Sequence, residues 1–328
     1  MNVVLAVDLG GTKIEAALLR GSTVLPNTRA RQATGRDTTA QSLTDAVQRV
    51  VQHALDHVPV QVPVVGVGIA SAGPIDCASG RIMPVNMPHL AAGYPLLDVV
   101  KEAADLGDVP VRLGHDGGCI ALAESWLGAT KSARTSLTLV VSTGVGGGII
   151  DHDAPLLGAT GNAGHLGQMR VGDSGLTLEE LASGPASVAW ARTLGWGGVT
   201  GEQLAADAAS GDATARAAIV RSATTVGHAL ASVAALIDID AVAVGGGFSR
   251  SAPDYVDLLA RAYRESAPFP HLRDIPIERS ALGTDGPLQG GAALALRAHR
   301  NSGMSTAGQT TPREQCTVLS SAGIETRR

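Results

Sequence analysis

Aromatic side chains are scarce. Only 2% of the 328 residues are Phe, Trp or Tyr, while 45% are hydrophobic, so the cores must be packed mainly with Ala, Val, Leu and Ile. Lysine is nearly absent, at Lys13, Lys101 and Lys131, and almost all positive charge is arginine. Such a bias more often follows genome base composition than function, and it makes a lysine inside a motif more informative. The net charge is −5 with no basic stripe, which removes the electrostatic footprint of a nucleic-acid binder. Cys77, Cys119 and Cys316 are far apart and odd in number; they fit no disulfide framework or zinc spacing and suit a reducing cytoplasm. No apolar run approaches the ~18 residues of a membrane span. The start, Met1-Asn2-Val3-Val4, enters a strand with no charged leader before it. These absences lead to the expectation of a soluble, cytoplasmic protein without nucleic-acid or membrane partners. The length suggests about two domains.

What is present is an α/β pattern punctuated by glycine. Val3 to Val7 is a short apolar run, followed by Asp8-Leu9-Gly10-Gly11-Thr12-Lys13, a second run from Ile14 to Leu19, and a hairpin turn at Gly21-Ser22. Leu43, Val47, Val50 and Ala54 recur at helical spacing, which predicts a helix over Asp37 to His57. Val64 to Ile69 reads as a buried strand ending at Ser71-Ala72-Gly73-Pro74. Leu96 to Asp105 reads as a helix, Val109 to Leu113 as a strand followed at once by His115 and Asp116, and Cys119 to Gly128 as a helix. The second half repeats the plan of strand, glycine turn, strand: Ser136 to Val141, then Ser142 to Gly148, then Ile149-Ile150. A long helix carries Ile219, Ala223, Val226, Leu230, Val233 and Ile237 on one face. Ala241 to Val244 is a strand ending in Gly245-Gly246-Gly247, and Leu288 to His299 is a final helix. The repeated plan hints at an internal duplication. The polar, Ser/Thr/Gly-rich stretch over 300–328 reads as a disordered tail.

The glycine turns carry the first chemical signal. Gly10-Gly11-Thr12 lets backbone N–H groups converge in a concave turn suited to phosphate oxygens. Thr12 adds a hydroxyl, Lys13 a positive charge, and Asp8 can hold a metal-bound water beside the phosphates. The alternative for this turn alone is a tight hairpin with no ligand. Ser142-Thr143-Gly144-Val145-Gly146-Gly147-Gly148 offers the feature again. It lacks both the long following helix of the dinucleotide fingerprint and the Gly-Lys-Ser/Thr ending of a Walker loop. With Gly245-Gly246-Gly247, three such turns stand at strand ends, as a cleft holding a nucleoside triphosphate requires.

These motifs, in this order, resemble the phosphate-one, phosphate-two and adenosine motifs of the ROK family of bacterial sugar kinases and related repressors, over about residues 3 to 298. The resemblance implies an actin-like ATPase fold with two ribonuclease H-like α/β domains and a central cleft: residues 1–115 plus a returning helix at 286–299, and residues 116–285. It implies ATP and Mg2+ as cofactors and a homodimer. Asp116 stands where the family has the Asp of an Asn-Asp pair, so it is implied to be the base that accepts the proton of the attacking hydroxyl. Read without the resemblance, Asp116 is sooner a helix N-cap that satisfies free N–H groups of the following helix. Gly73 and Asn86 resemble residues of the family's sugar-side loops, and Glu179 resembles a sugar contact.

The sequence also departs from the family. In the stretch from Gly158 to Gln168, His165 stands at the place of the signature glutamate and Gln168 at that of the histidine; His115 replaces the asparagine before Asp116. The family's structural zinc uses that histidine and three cysteines downstream, whereas this chain has Gly172-Asp173-Ser174-Gly175-Leu176-Thr177 there, so no structural zinc is expected. A neutral histidine offers one donor and one acceptor where a carboxylate accepts twice. The expected substrate is therefore a sugar or a sugar-like C7-cyclitol of the valienone or valiolone type. The alternatives are a conventional hexose kinase acting on glucose or N-acetylmannosamine, and a non-enzymatic sugar-sensing regulator. A regulator of this family carries a winged-helix segment before the first turn, and seven residues precede Asp8.

Overall fold

The computed structural model describes residues 2–302. The chain divides into two compact units. Of the described residues, the first comprises 2–119, Leu157–Asn162 and 287–302; the second comprises Ile120–Leu156 and Ala163–Gly286.

The first unit is built on a sheet of β1 (Val3–Leu9), β2 (Lys13–Arg20), β3 (Thr23–Val24), β4 (Ala30–Ala33), β5 (Val64–Ser71) and, after the small hairpin β6 (Ile75–Asp76) and β7 (Arg81–Ile82), β8 (Val111–His115). Its order is β3-β2-β1-β5-β8, with β4 also on β2. β1 and β2 form an antiparallel hairpin, while β1, β5 and β8 are parallel. Helices cover both faces. Val3, Leu5 and Val7 pack with Leu43, Val47 and Val50 of α1 (Ala40–Asp56) and with Leu96 and Val100 of α2 (Leu96–Ala104). Val4 and Ala6 face the other way, against Leu288, Ala292 and Ala295 of the last helix, Gly286–Ser302. Burial on both sides is why β1 reads as an unbroken apolar run rather than an alternating one. The last helix lies so close that a Cβ on Gly68 would stand 1.8 Å from the Gly291 carbonyl oxygen.

The boundary between the first two segments of the units falls inside α3 (Asp116–Leu127). In the second unit, β9 (Thr135–Val141), β10 (Val145–Asp151), β11 (Ala154–Pro155), β12 (Ala241–Gly245) and β13 (Ile277–Arg279) form a sheet of order β11-β10-β9-β12-β13. β9 and β10 are an antiparallel hairpin, and β12 runs parallel to both β9 and β13. Both sheets thus share one plan: a hairpin whose first strand is extended by two parallel strands. That repeats in space the duplication hinted at by the sequence.

Six helices belong to this unit: α4 (Leu178–Ala182), α5 (Gly184–Thr193), α6 (Gly201–Ala209), α7 (Ala213–Ile237), α8 (Tyr255–Ser266) and α9 (Pro270–Arg273); the last helix of the chain is α10. Among the described residues, α7 alone is long and apolar enough to cross a membrane, against the expectation of no such segment. Its Ile219, Val226, Leu230 and Val233 lie in the unit's core with Leu137, Leu139 and Leu259, so it is a core helix.

Several boundaries differ from expectation. α1 starts at Ala40, because Thr39 caps it, accepting from the Ser42 N–H in a capping box. Ser142–Gly144 alone makes the second glycine turn; Gly146, Gly147 and Gly148 are already strand, paired with Val140, Leu139 and Thr138. α10 extends to Ser302, so residues 300–302 are helical, and the rest of the stretch read as a disordered tail lies outside the described residues. Cys119 is a buried free thiol, but Cys77 is disulfide-bonded, so the reading of all three cysteines as outside any disulfide fails at Cys77.

Candidate active site

The parallel strands of the first unit end in register. Leu9 of β1 pairs with Ser71 of β5, and Ser71 with His115 of β8. From this line the chain leaves β1 into Gly10-Gly11-Thr12, β5 into Ala72-Gly73-Pro74, and β8 into Asp116. Carboxyl ends of parallel strands are where open α/β sheets bind ligands, because the connections there leave the sheet and turn backbone groups outward. The first turn is closed by the Gly10 N–H donating to the Lys13 carbonyl at 2.9 Å. Two side chains hold it from outside: Thr34 Oγ1 donates to the Gly10 carbonyl at 3.1 Å, and Asn86 Nδ2 to the Gly11 carbonyl at 2.8 Å. Thr12 is exposed.

Two carboxylates share this edge in contrasting settings. Asp8 is 4% exposed, and its carboxyl is pushed up to about 7, chiefly by burial and then by the nearby Asp116 charge; Lys13 and Arg31 oppose the shift. The Asp116 side chain is 37% exposed and begins α3. Its Oδ1 accepts the Gly117 N–H at 2.7 Å and lies 3.1 Å from His115 Nε2. Lys13, expected beside the phosphates, is paired with Glu15, as is Arg31 at 2.5 Å, and Glu15 is fully buried. In this structure both cations answer the buried carboxylate of β2 instead of standing free at the turn.

In the second unit the same edge carries the turn Ser142-Thr143-Gly144, closed by the Ser142 N–H donating to the Gly144 carbonyl at 2.8 Å. Glu179 of α4 braces it: Oε2 accepts the Val145 N–H at 2.9 Å. The Gly184 N–H donates to the Ser142 carbonyl at 2.9 Å. Beside this turn, at the end of β12, Gly246 has φ +97°, and a Cβ there would stand 2.3 Å from the Val141 carbonyl oxygen; only glycine satisfies both demands. The close approach sets Gly245, Gly246 and Gly247 next to Val141 and Ser142. His165 and Gln168 flank a single short turn, the Gln168 N–H donating to the His165 carbonyl at 3.0 Å, with Gln168 exposed.

The fold therefore gathers Asp8, Gly10, Gly11, Thr12, Gly73, Asn86, His115 and Asp116 on one sheet edge. On the corresponding edge of the second unit it gathers Ser142, Thr143, Gly144, Glu179, Gly245, Gly246 and Gly247. Gly146 sits one step into β10. Asn86 and Glu179, expected as sugar contacts, each hold a glycine turn here. Residues that sequence reasoning missed include Glu15, Thr34 and Asn162. Asn162 is hydrogen-bonded to the backbone of Ile75 through both ends of its amide, at 2.9 and 2.6 Å. Glu15, the one acidic residue in an apolar strand, was a visible signal, and Asn162 lies within the signature stretch Gly158 to Gln168; Thr34 carried none.

Known proteins resemble this chain in sequence and fold. A sequence model described as the ROK family matches residues 4–298. An N-acetylmannosamine kinase of Yersinia pseudotuberculosis serotype O:3 (strain YPIII) is 33% identical over 308 residues, covering 90% of this chain and 98% of that protein. Among solved structures, a ROK hexokinase from Thermus thermophilus is 31% identical with a TM-score of 0.75, covering 91% of this chain and 99% of the other. A ROK family glucokinase from Streptomyces griseus, solved with glucose and AMPPNP, is 28% identical with a TM-score of 0.74, covering 90% and 99%.

Proposed function

This chain belongs to the ROK family, and from that premise we propose that it transfers the terminal phosphoryl group of ATP to a hydroxyl of a hexose or N-acetylated hexosamine, with Asp116 as the base. It is a sugar kinase, a phosphotransferase with an alcohol acceptor, on the actin-like ATPase fold. The observation that carries the proposal is Asp116 itself: a partly exposed carboxylate at the carboxyl end of β8, on the edge that also bears Asp8 and the first glycine turn.

The chain's residues fit a nucleoside triphosphate. Each unit presents a short glycine turn at a strand end, and the packing of Gly246 on the Val141 backbone sets a third run of glycines beside the second turn. In the first unit Gly11 and Thr12 would hold phosphate oxygens; in the second, Ser142, Thr143 and Gly144 would do so, with Gly245-Gly246-Gly247 for the nucleoside. Asp8 would hold Mg2+, whose charge favours the ionised carboxylate that burial alone disfavours. When bound, Mg-ATP supplies the phosphoryl group. Asp116 accepts the proton of the attacking hydroxyl and orients its oxygen; the transition state is loose, so orientation outweighs basicity.

The relatives act, by their names, on N-acetylmannosamine and glucose, and these hexoses take precedence over the C7-cyclitol as substrate. The cyclitol reading rests only on His115, His165 and Gln168. The test is ADP release from ATP and Mg2+ with N-acetylmannosamine, glucose, valienone and valiolone in turn. Turnover of either hexose bears out the proposal, and turnover of a cyclitol alone would replace it. Sugar binding without ADP release would point to a regulator. Asp116→Asn is expected to lower kcat by about 10²- to 10⁴-fold, measured in the same assay; an unaffected rate would remove Asp116 from the chemistry.

A further inference from the structure

The proposed chemistry leaves the carboxylate of Glu124 unused. Glu124 is fully buried, in the part of α3 that belongs to the second unit. Burying a carboxylate is costly unless donors replace its water, and three donors converge here. Oε2 accepts the Ala129 N–H at 2.8 Å. Oε1 accepts the Ser280 hydroxyl and, at 3.4 Å, the Leu282 N–H. The Ala129 bond closes the end of the helix; the other two reach the chain just after β13, 156 and 158 positions on. Ser280 in turn sits against the third run of glycines. Its N–H donates to the Val244 carbonyl at 2.9 Å. Its side chain lies over Gly245, where a Cβ would stand 3.1 Å from Ser280 Cβ and 3.4 Å from its Oγ. The buried carboxylate is thus two contacts away from the backbone assigned to the nucleoside, and every link lies inside the second unit.

We propose that Glu124 is a positioning residue for the nucleotide: through the Ser280 hydroxyl it fixes the backbone of Gly245 and Gly246 at the end of β12, where the nucleoside is received. The inference rests on the proposed function, which gives Gly245-Gly246-Gly247 the nucleoside. A residue that only staples α3 in place changes stability and leaves nucleotide affinity alone. A residue that shapes the nucleoside's seat acts on ground and transition states alike, so the KM for ATP moves and kcat does not.

The test uses the full chain. Affinity for AMPPNP with Mg2+ is read by calorimetry, and steady-state kinetics use ATP with whichever of N-acetylmannosamine or glucose the wild type turns over. Ser280→Ala removes the hydroxyl and keeps both backbone donors to Glu124. It is expected to weaken AMPPNP binding and raise the KM for ATP by about 3- to 10-fold, the scale of one net hydrogen bond, with kcat and the KM for the sugar within about 2-fold of wild type. Glu124→Gln is expected to shift the same two quantities in the same direction. Adding Ser280→Ala to it should shift them no further, because the two residues act through one bond. Unchanged AMPPNP affinity in the folded Ser280→Ala protein, equal rises in both KM values, or additive effects of the two substitutions would each overturn the positioning role. If Glu124→Gln does not fold, Ser280→Ala alone decides by the first two of these results. A wild type that binds no AMPPNP would sink the proposed function itself, a failure visible without either variant.

Discussion

Asp8 is buried beside a second carboxylate, and its carboxyl titrates near 7 instead of in the ordinary range around 3.8. In the unfolded chain the group ionises at the ordinary value. A raised folded pKa favours folding below that value, and the benefit is lost as pH rises through about 7. Above that pH, folding must bury a charge. Asp8→Asn is therefore expected to stabilise the ligand-free protein, by about 2–3 kcal/mol more at pH 8 than at pH 5, at ~1.4 kcal/mol for each tenfold change in the ionisation constant. Thermal unfolding at the two pH values checks this, and an equal gain at both would show that burial does not hold the proton on Asp8. The same variant should lose turnover, since the position that costs stability is the one proposed to hold Mg2+.

At the scale of elements, the tightest glycine contact described in the first unit is between β5 and α10. A Cβ on Gly68 would stand 1.8 Å from the Gly291 carbonyl oxygen, 2.7 Å from its carbon and 3.2 Å from the Ala295 nitrogen. All of these are backbone atoms, so no side-chain rotation relieves the overlap and the helix itself must lift. Lifting α10 uncovers Val4, Ala6, Ala17 and Leu19. Gly68→Ala is expected to destabilise the protein by about 1–3 kcal/mol or more, the cost of overpacking a dense core. The midpoint of urea unfolding reads this, and an unchanged midpoint would mean that α10 does not depend on its contact with β5.

For the whole molecule, the repeated sheet plan gives each unit its own glycine turn at a strand end, and the proposed function assigns nucleotide contacts to both turns. A ligand that binds only the folded protein raises its stability, by ~2.7 kcal/mol at one hundred times its Kd. AMPPNP with Mg2+ is expected to raise the unfolding temperature, and removing Mg2+ with EDTA to reduce that rise and abolish ADP release. A rise untouched by EDTA would show that nucleotide binding does not need the metal.

The sequence by itself determined the class of fold and the places where chemistry gathers. Apolar runs such as Val3–Leu9 and Ala241–Val244 end in glycine turns, and glycine at a strand end has a direct physical meaning: close approach of backbone to a ligand. The apolar period of α1 and the long face of α7 were legible because buried stripes repeat at helical spacing. Only the tertiary structure decided what each turn is held by. β4, with its polar Ala30–Ala33, is a strand because β2 offers it an edge and Glu15 a partner for Arg31. Lys13 turns to Glu15, Asn86 to Gly11 and Glu179 to Val145 through bonds between residues 2, 75 and 34 positions apart. Local spacing fixes which residues stand at a turn, but a long side chain goes to the strongest unsatisfied partner that folding brings near, and that partner is known only once the chain has closed on itself.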